Sequence, residues 1–247
     1  MDHGELILLF IAINQANEKN RSIAAFCQRG SIDLRTLYPD GHFPRLGFQT
    51  SMRDYYSKTV LKRLRITFAV QLSPIGTADA VLAAQEFTLG EPFVVINSDN
   101  YYPPAALARL RMVDGAATIG FSAEGLLRGG NIPPERLHAY AYLEVDGSGV
   151  LRKIREKPTD ASGVTSGRDS LVSMNCWRLT SAFFRACRHV QPSPRGELEL
   201  PLAVQYAIDI LGLRIKVIPD ESQVLDLSGR ADIPGVALAL SKAEVSL

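Results

Sequence analysis

Short runs of apolar residues, each bounded by polar or turn-forming residues, constrain the fold of this 247-residue chain more than any other feature. Residues 6–13 are continuously apolar, and residues 92–96 form a second run of strand length. Such runs are typical of strands buried on both faces of a parallel sheet. Other segments place apolar residues at helical spacing, as in residues 77–87. Strands alternating with helices predict an α/β fold, a three-layer αβα sandwich with a mostly parallel sheet.

The remaining elements are predicted from periodicity and from turn chemistry. Thr77 is expected to be the N-cap of its helix, with Asp79 in the first turn, and a helix could open at residues 22–27. Asp-Gly-Ser-Gly at residues 146–149 predicts an inserted β-hairpin. The predicted strands are 65–71, 92–96, 117–121, 140–145, 150–155, 171–177, 213–218 and 222–227, and the predicted helices are 105–113, 181–189, 199–210 and 231–241.

Composition excludes several classes of protein. With 27 basic and 26 acidic residues the net charge is +1, so the chain lacks the excess of Lys and Arg that coats nucleic acid. Its three cysteines form no CxxC pair, which excludes a finger-type zinc site and fits a reduced compartment. The longest apolar run is too short to span a bilayer, so no membrane partner is expected. We expect a cytoplasmic protein.

Two acidic residues stand where ligands bind in open α/β sheets, beyond the carboxyl ends of strands. Asp99 lies in Asn-Ser-Asp-Asn, directly after the strand that ends at Ile96. A carboxylate there can hold a hard cation, although Asp99 could equally cap the next segment. Asp226, where a short strand meets the last helix, could be an N-cap or a second ligand for the same cation.

Two further segments could meet a phosphate. Gln71 and residues 74–79 form a strand, a glycine turn and a helix start, which brings backbone N–H groups toward a ligand edge or a phosphate. Lys157 follows the second strand of the hairpin, within residues 155–158. It could place a point charge on a phosphate, or it could belong to a solvated charge cluster.

Other polar residues have sufficient structural explanations. Glu197 and Glu199 open a helix after a tight turn at Pro194 and Gly196, where acidic residues complement the helix dipole. The four histidines form no cluster, and no HExxH or GxSxG motif occurs.

Five segments in chain order carry a family pattern: 71–80 (QLSPIGTADA), 93–101 (FVVINSDNY), 154–158 (IREKP), 195–200 (RGELEL) and 225–229 (LDLSG). From about residue 65 to the C-terminus, the chain therefore resembles the sugar-1-phosphate nucleotidylyltransferase family. The resemblance implies a Rossmann-like fold, with residues 1–247 forming a single nucleotidyltransferase-like domain.

The resemblance also implies roles for particular residues. Asp99 and Asp226 match the residues that bind Mg²⁺, the cofactor the family implies, and Lys157 matches the lysine that holds the sugar phosphate. These three form the implied catalytic set. The implied substrate-binding positions, which read the nucleotide base or contact the sugar, are Gln71, Gly76, Thr77, Glu156, Ser173 and Glu197.

The implied partners are a nucleoside triphosphate and a sugar 1-phosphate, and the implied products are a nucleoside-diphosphate sugar and pyrophosphate. The attacking phosphate oxygen is anionic near neutral pH, so no strong general base is needed. Catalysis would rest on positioning and charge neutralisation. A homo-oligomer is compatible with this reading.

The chain departs from the family pattern at its opening. The family has a glycine-rich loop after its first strand, whereas residues 14–21 contain no glycine. Either residues 6–13 match the second strand and the true N-terminal strand and loop lie upstream, or the opening has diverged in a catalytically silent binding protein. The intact later motifs favour the first explanation. Ser98 replaces a glycine before the aspartate, and residues 173–175 replace an Asn-Thr-Gly-like stretch.

Overall fold

The computed structural model describes residues 7–12, 23–28, 65–71, 75–128, 130–155 and 170–241. Its strands are β1 (Ile7–Ala12), β2 (Ile23–Gln28), β3 (Arg65–Val70), β4 (Phe93–Asn97), β5 (Asn100–Tyr101), β6 (Ala116–Ser122), β7 (Ala141–Val145), β8 (Leu151–Arg155), β9 (Leu171–Leu179), β10 (Ile215–Asp220) and β11 (Leu225–Asp226). Its α-helices are α1 (Thr77–Ala83), α2 (Pro104–Arg111), α3 (Ala123–Leu127), α4 (Phe183–His189), α5 (Leu200–Asp209) and α6 (Ile233–Leu240).

The main sheet has the order β10-β6-β9-β4-β1-β2-β3. The pairs β10–β6 and β1–β4 are parallel, and β9 runs antiparallel between β6 and β4. Since β2 is antiparallel to both β1 and β3, every strand of this path except β9 and β2 points the same way. The Rossmann-like α/β class is therefore confirmed, with two reversed strands in a mostly parallel sheet.

The prediction of a helix at residues 22–27 is wrong, because this segment is strand β2. It pairs with β1 from Ile7↔Gln28 to Ala12↔Ile23, and with β3 from Ile23↔Val70 to Gln28↔Arg65. The alanines favour a helix by propensity. Strand pairing on both edges overrides that local preference.

The core has two layers, one on each face of the sheet. Phe93 and Val95 of β4 pack with α1, α4 and α5, whereas Val94 and Ile96 face the opposite layer with α2. This alternation follows from the two-residue period of a strand. Phe93 stacks on Phe184 of α4 with ring centroids 4.9 Å apart. Helices therefore cover both faces of the sheet, which confirms the predicted three-layer arrangement.

Most other boundaries agree with the predictions to within two or three residues. The hairpin forms as β7 and β8, and β7 joins the main sheet through β9. Helix α1 ends earlier than predicted, and a 3₁₀ turn over Gln85–Thr88 continues it. Among the described residues, no helix is both long and apolar enough to cross a bilayer.

Candidate active site

Two acidic residues meet at the carboxyl edge of the sheet. Strand β4 ends at Asn97, and the turn that follows carries Asp99 into the short strand β5. β5 pairs with β11, placing Asn100 opposite Asp226. The backbone N–H of Leu227 donates to the Asp99 carbonyl oxygen at 2.8 Å. This small ribbon brings Asp99 and Asp226 together from positions 127 residues apart in sequence (226 minus 99).

Asp99 is solvent-exposed, yet many protein atoms surround its carboxyl group and partly desolvate it. Its pKa is raised from 3.8 to about 6. Desolvation is the larger cause and the charge of Asp226 the second, because both disfavour the ionised form. Its backbone carbonyl is used in the ribbon, and the N-cap of α2 is Pro103, so Asp99 does not cap that helix.

The Asp226 carboxylate is buried and held by three donors. Arg136 Nη1 (3.1 Å), the Tyr140 hydroxyl (2.9 Å) and Ser228 Oγ (2.6 Å) all donate to Oδ2. The Asp226 backbone N–H also donates to Asn131 Oδ1 at 2.9 Å. Desolvation, and then the Asp226 charge, raise the pKa of Tyr140, so its hydroxyl stays protonated and donates. Asp226 lies in β11 and is not an N-cap.

The donor set suits a magnesium ion that also contacts its substrate. Among the described residues no group of three or more His, Cys, Asp or Glu side chains could hold a metal. Asp99 and Asp226 offer two carboxylates, and Mg²⁺ is commonly bound through one or two carboxylates plus substrate phosphates and water. The mutual repulsion that raises the pKa of Asp99 is the kind of charge crowding that a cation relieves.

Gln71 directly follows strand β3, and one of its side-chain atoms has no partner among the described residues. It is 1% exposed, and its Nε2 donates to the Gly76 carbonyl at 3.0 Å and to Asp79 Oδ2 at 2.7 Å. Both partners can only accept here, so the amide nitrogen must face them. Oε1 is then buried without a hydrogen-bond partner among the described residues. A buried acceptor of this kind needs a donor, which an ordered water or a ligand would supply.

Gly76 is required by its surroundings. Its φ of 133° lies outside the range that side-chain-bearing residues usually adopt, and an added Cβ would stand 2.3 Å from the Leu198 carbonyl oxygen. The same two segments are joined by hydrogen bonds from Leu198 N–H to the Ile75 carbonyl and from Ala78 N–H to the Leu198 carbonyl. The glycine allows this close approach.

Thr77 does not cap its own helix, contrary to the prediction, because the N-cap of α1 is Gly76. Its hydroxyl instead accepts from the Leu200 backbone N–H at 2.7 Å, at the start of α5. The first backbone N–H groups of a helix have no partner within that helix, and here Thr77 of another helix supplies an acceptor for Leu200. Thr77 is thus engaged in joining two helix starts.

The acidic residues that open α5 have different environments. Glu199 is its N-cap, is buried, and accepts from Arg195 Nη2 at 2.8 Å. Glu197 is exposed, and its carbonyl oxygen accepts from Ser193 N–H at 2.9 Å. The predicted tight turn is present, with Gly196 at a φ of 79°. Glu197 is therefore accessible from solvent, and its contact with a sugar stays a prediction.

Ser173 is buried in β9, where its hydroxyl accepts from Asn175 N–H at 3.3 Å. Asn175 has a φ of 53°, in the left-handed region where Asn and Gly are favoured. Asparagine is therefore a residue type that suits this position. Glu156 and Lys157, like residues 14–21, lie outside the described residues.

Sequence reasoning missed three residues that hold Asp226: Asn131, Arg136 and Tyr140. They come from the segment before β7, about 90 residues before their partner. No motif or periodicity marked them, because only the fold brings that segment to β11. Ser228 lay within the quoted LDLSG segment, but its bond to Asp226 could not be foreseen.

Comparison with known proteins identifies the family. The model of the nucleotidyl transferase family matches residues 42–222, which is most of the chain. The chain belongs to the nucleotidyl transferase family. This nucleotidyl transferase is 28% identical over 154 residues to a glucose-1-phosphate thymidylyltransferase of Streptomyces antibioticus, covering 59% of this chain and 38% of that protein. It is 30% identical over 142 residues to the enzyme of the same name from Xanthomonas campestris, covering 56% and 42%.

The match spans about two fifths of the length of those curated relatives. Solved structures agree at the level of fold. A UDP-glucose pyrophosphorylase from Acinetobacter baumannii has a TM-score of 0.56 at 16% identity, covering 86% of this chain and 71% of that one. An inositol-1-phosphate CTP transferase from T. maritima has a TM-score of 0.52 at 16% identity, covering 70% and 65%. At such identity the likeness establishes the nucleotidyl transferase fold alone.

Proposed function

We propose that this protein catalyses the Mg²⁺-dependent transfer of a nucleotidyl group from a nucleoside triphosphate to a sugar 1-phosphate. The products are a nucleoside-diphosphate sugar and pyrophosphate. The observation that carries the proposal is the meeting of Asp99 and Asp226 across the β5–β11 ribbon, in a chain of the nucleotidyl transferase family. Relatives named glucose-1-phosphate thymidylyltransferase support a sugar phosphate as the acceptor.

We assign the binding of the nucleotide base to Gln71 and Gly76, which lie between β3 and α1. The unpaired Oε1 of Gln71 would accept a hydrogen bond from an N–H on the base, since Nε2 is already committed. Uracil and thymine carry an N–H at N3, where cytosine carries an acceptor. Gly76 lets this segment approach the Leu198 backbone closely, and the Thr77 hydroxyl joins the segment to the start of α5. Guanine N1–H and the amino groups of adenine and cytosine are donors too, so it is the relatives named glucose-1-phosphate thymidylyltransferase that favour the imide N3–H of a pyrimidine.

In the proposed reaction a sugar phosphate oxygen forms a bond to the α-phosphorus, and the bond from that phosphorus to pyrophosphate breaks. Asp99 and Asp226 would hold Mg²⁺, which when bound neutralises phosphate charge and orients the triphosphate. Lys157 would hold the sugar phosphate. Glu156, Glu197 and Ser173 would contact the sugar, as the family resemblance implies. The attacking oxygen is already anionic, so these residues position the reactants and need not remove a proton.

Pyrophosphate release tests the proposal directly. We expect release from UTP or dTTP with a hexose 1-phosphate and Mg²⁺, slower release from CTP, and none after EDTA is added. A folded chain that binds nucleotide but releases no pyrophosphate from any pair would instead be a catalytically silent binding protein. The glycine-free stretch at residues 14–21 is the feature that favours that second function.

The raised pKa of Asp99 predicts how metal binding depends on pH. A cation needs the ionised carboxylate, so affinity should fall by about tenfold per pH unit once the pH drops below about 6. An aspartate with an ordinary pKa would keep its affinity down to about pH 4. Mn²⁺ is a suitable probe, followed by water proton relaxation without nucleotide. A flat response between about pH 7 and pH 5 would contradict the assignment.

A further inference from the structure

Asp226 is a candidate metal ligand. Within the described part of the chain, every hydrogen bond that its carboxylate accepts from a side chain ends on one oxygen, Oδ2. Arg136, Tyr140 and Ser228 donate to Oδ2 at 2.6 to 3.1 Å. Oδ1 is therefore the oxygen left for a cation beside Asp99. A carboxylate fixed through one oxygen presents the other in a defined direction, as outer partners of metal ligands generally do.

Within the described ranges, Arg136 is the one donor of the three whose side chain also binds a second residue. Its Nη2 donates to Asp232 Oδ1 at 2.9 Å and its Nη1 to Asp232 Oδ2 at 3.0 Å. Asp232 also accepts from the Gly229 N–H at 2.8 Å, at the turn that leads into α6. The Arg136 side chain is 27% exposed, whereas the Asp226 and Asp232 side chains are 3% and 7% exposed. One guanidinium thus bridges two buried carboxylates.

The planar guanidinium suits this bridge because its fork presents several donors in a fixed geometry, whereas an ammonium is a single point charge. Arg136 itself lies in the 3₁₀ turn over Pro134–Ala139. The direction of Asp226 therefore depends on a segment that contributes none of the proposed metal ligands.

We propose that Arg136 is a positioning residue, which holds Asp226 by Oδ2 against Asp232 so that Oδ1 is directed to the cation shared with Asp99. This inference rests on the proposed metal site. Its consequence is that the shape of the guanidinium, and not its charge alone, sets the affinity of the protein for the metal.

Mn²⁺ titration of the full chain, without nucleotide, tests this with Arg136→Lys. Lysine keeps the charge but loses the fork, and we expect Mn²⁺ to bind about 10- to 100-fold more weakly, the usual loss when a partner of a metal ligand is replaced. Tyr140→Phe removes one donor to the same oxygen at nearly constant volume. It should weaken Mn²⁺ binding in the same direction and by less, and it serves as the second variant if Arg136→Lys fails to fold.

The matched control is Arg109→Lys. Arg109 pairs with the buried carboxylate of Asp220, so this variant also keeps the charge and loses the guanidinium fork beside a buried acid, but one that is neither Asp99 nor Asp226. It should change thermal stability without changing Mn²⁺ affinity. Equal Mn²⁺ affinity in wild type and in both site variants would overturn the positioning role alone. Wild-type binding that Asp99→Asn does not weaken would overturn the metal site, and the inference with it.

Discussion

Replacing Asp99 by asparagine should lower the rate of pyrophosphate release by about 10²- to 10³-fold, the scale seen when a group that stabilises developing charge is removed. Asparagine has almost the same shape but cannot supply the negative charge that the cation needs. Activity is measured as pyrophosphate released at saturating Mg²⁺ with the best pair of substrates. Asp114→Asn is the control, because that exposed aspartate lies in the bend before β6, outside the β5–β11 ribbon.

The same variant should not lose stability. The raised pKa of Asp99 means that the folded chain disfavours its ionised form, so neutralising this residue at pH 7 removes an unfavourable interaction. We expect the melting temperature of Asp99→Asn to equal or exceed that of the wild type. An inactive variant that melts lower would point to misfolding, and an active one would sink the assignment of Asp99 as a metal ligand.

Gly76→Ala should cost about 2–4 kcal/mol of the free energy of unfolding, because the new Cβ meets the Leu198 backbone and the φ is strained for alanine. Backbone cannot rotate away as a side chain can. The added Cβ would stand within 2.6 Å of three Leu198 backbone atoms. Segment 197–200 must therefore shift relative to the Gln71 amide, and nucleotide affinity should fall along with stability. Urea denaturation and nucleotide titration measure the two effects.

Gly149→Ala separates the two causes. Gly149 also has a positive φ, 77°, but an added Cβ would meet nothing within 4 Å. This variant should cost only the backbone strain, about 1 kcal/mol, and leave nucleotide binding unchanged. If both variants cost the same, the close approach to Leu198 has no energetic role.

The α/β class and most element boundaries were predictable because they depend on local periodicity. The run at residues 92–96 became β4, and the turn at residues 146–149 became the hairpin connection. Strand β2 was not predictable, because its alanines favour a helix locally while its partners β1 and β3 supply hydrogen bonds on both edges. Its structure depends on pairing over as many as 47 residues, as between Ile23 and Val70.

The candidate site was partly predictable for a related reason. Asp99 and Gln71 directly follow strands, and the carboxyl ends of strands that point the same way share one edge of the sheet. The predicted role of Thr77 as an N-cap was wrong, since its hydroxyl accepts from the backbone N–H of Leu200, 123 residues later. Arg136 carried no signal at all, because a lone arginine is ordinary in sequence until its partners are known.

The sequence by itself determined most of the strands and helices, which carboxylates follow strands, and which family the motifs resemble. These properties depend on residues that are close in sequence, so they can be recognised without knowledge of the fold. The tertiary structure alone decided that Asp99 and Asp226 meet, that the side-chain donors of Asp226 converge on Oδ2, and that Gln71 Oε1 has no partner among the described residues. Hydrogen bonds and charges act over a few ångströms, and only the folded chain brings distant residues within that range.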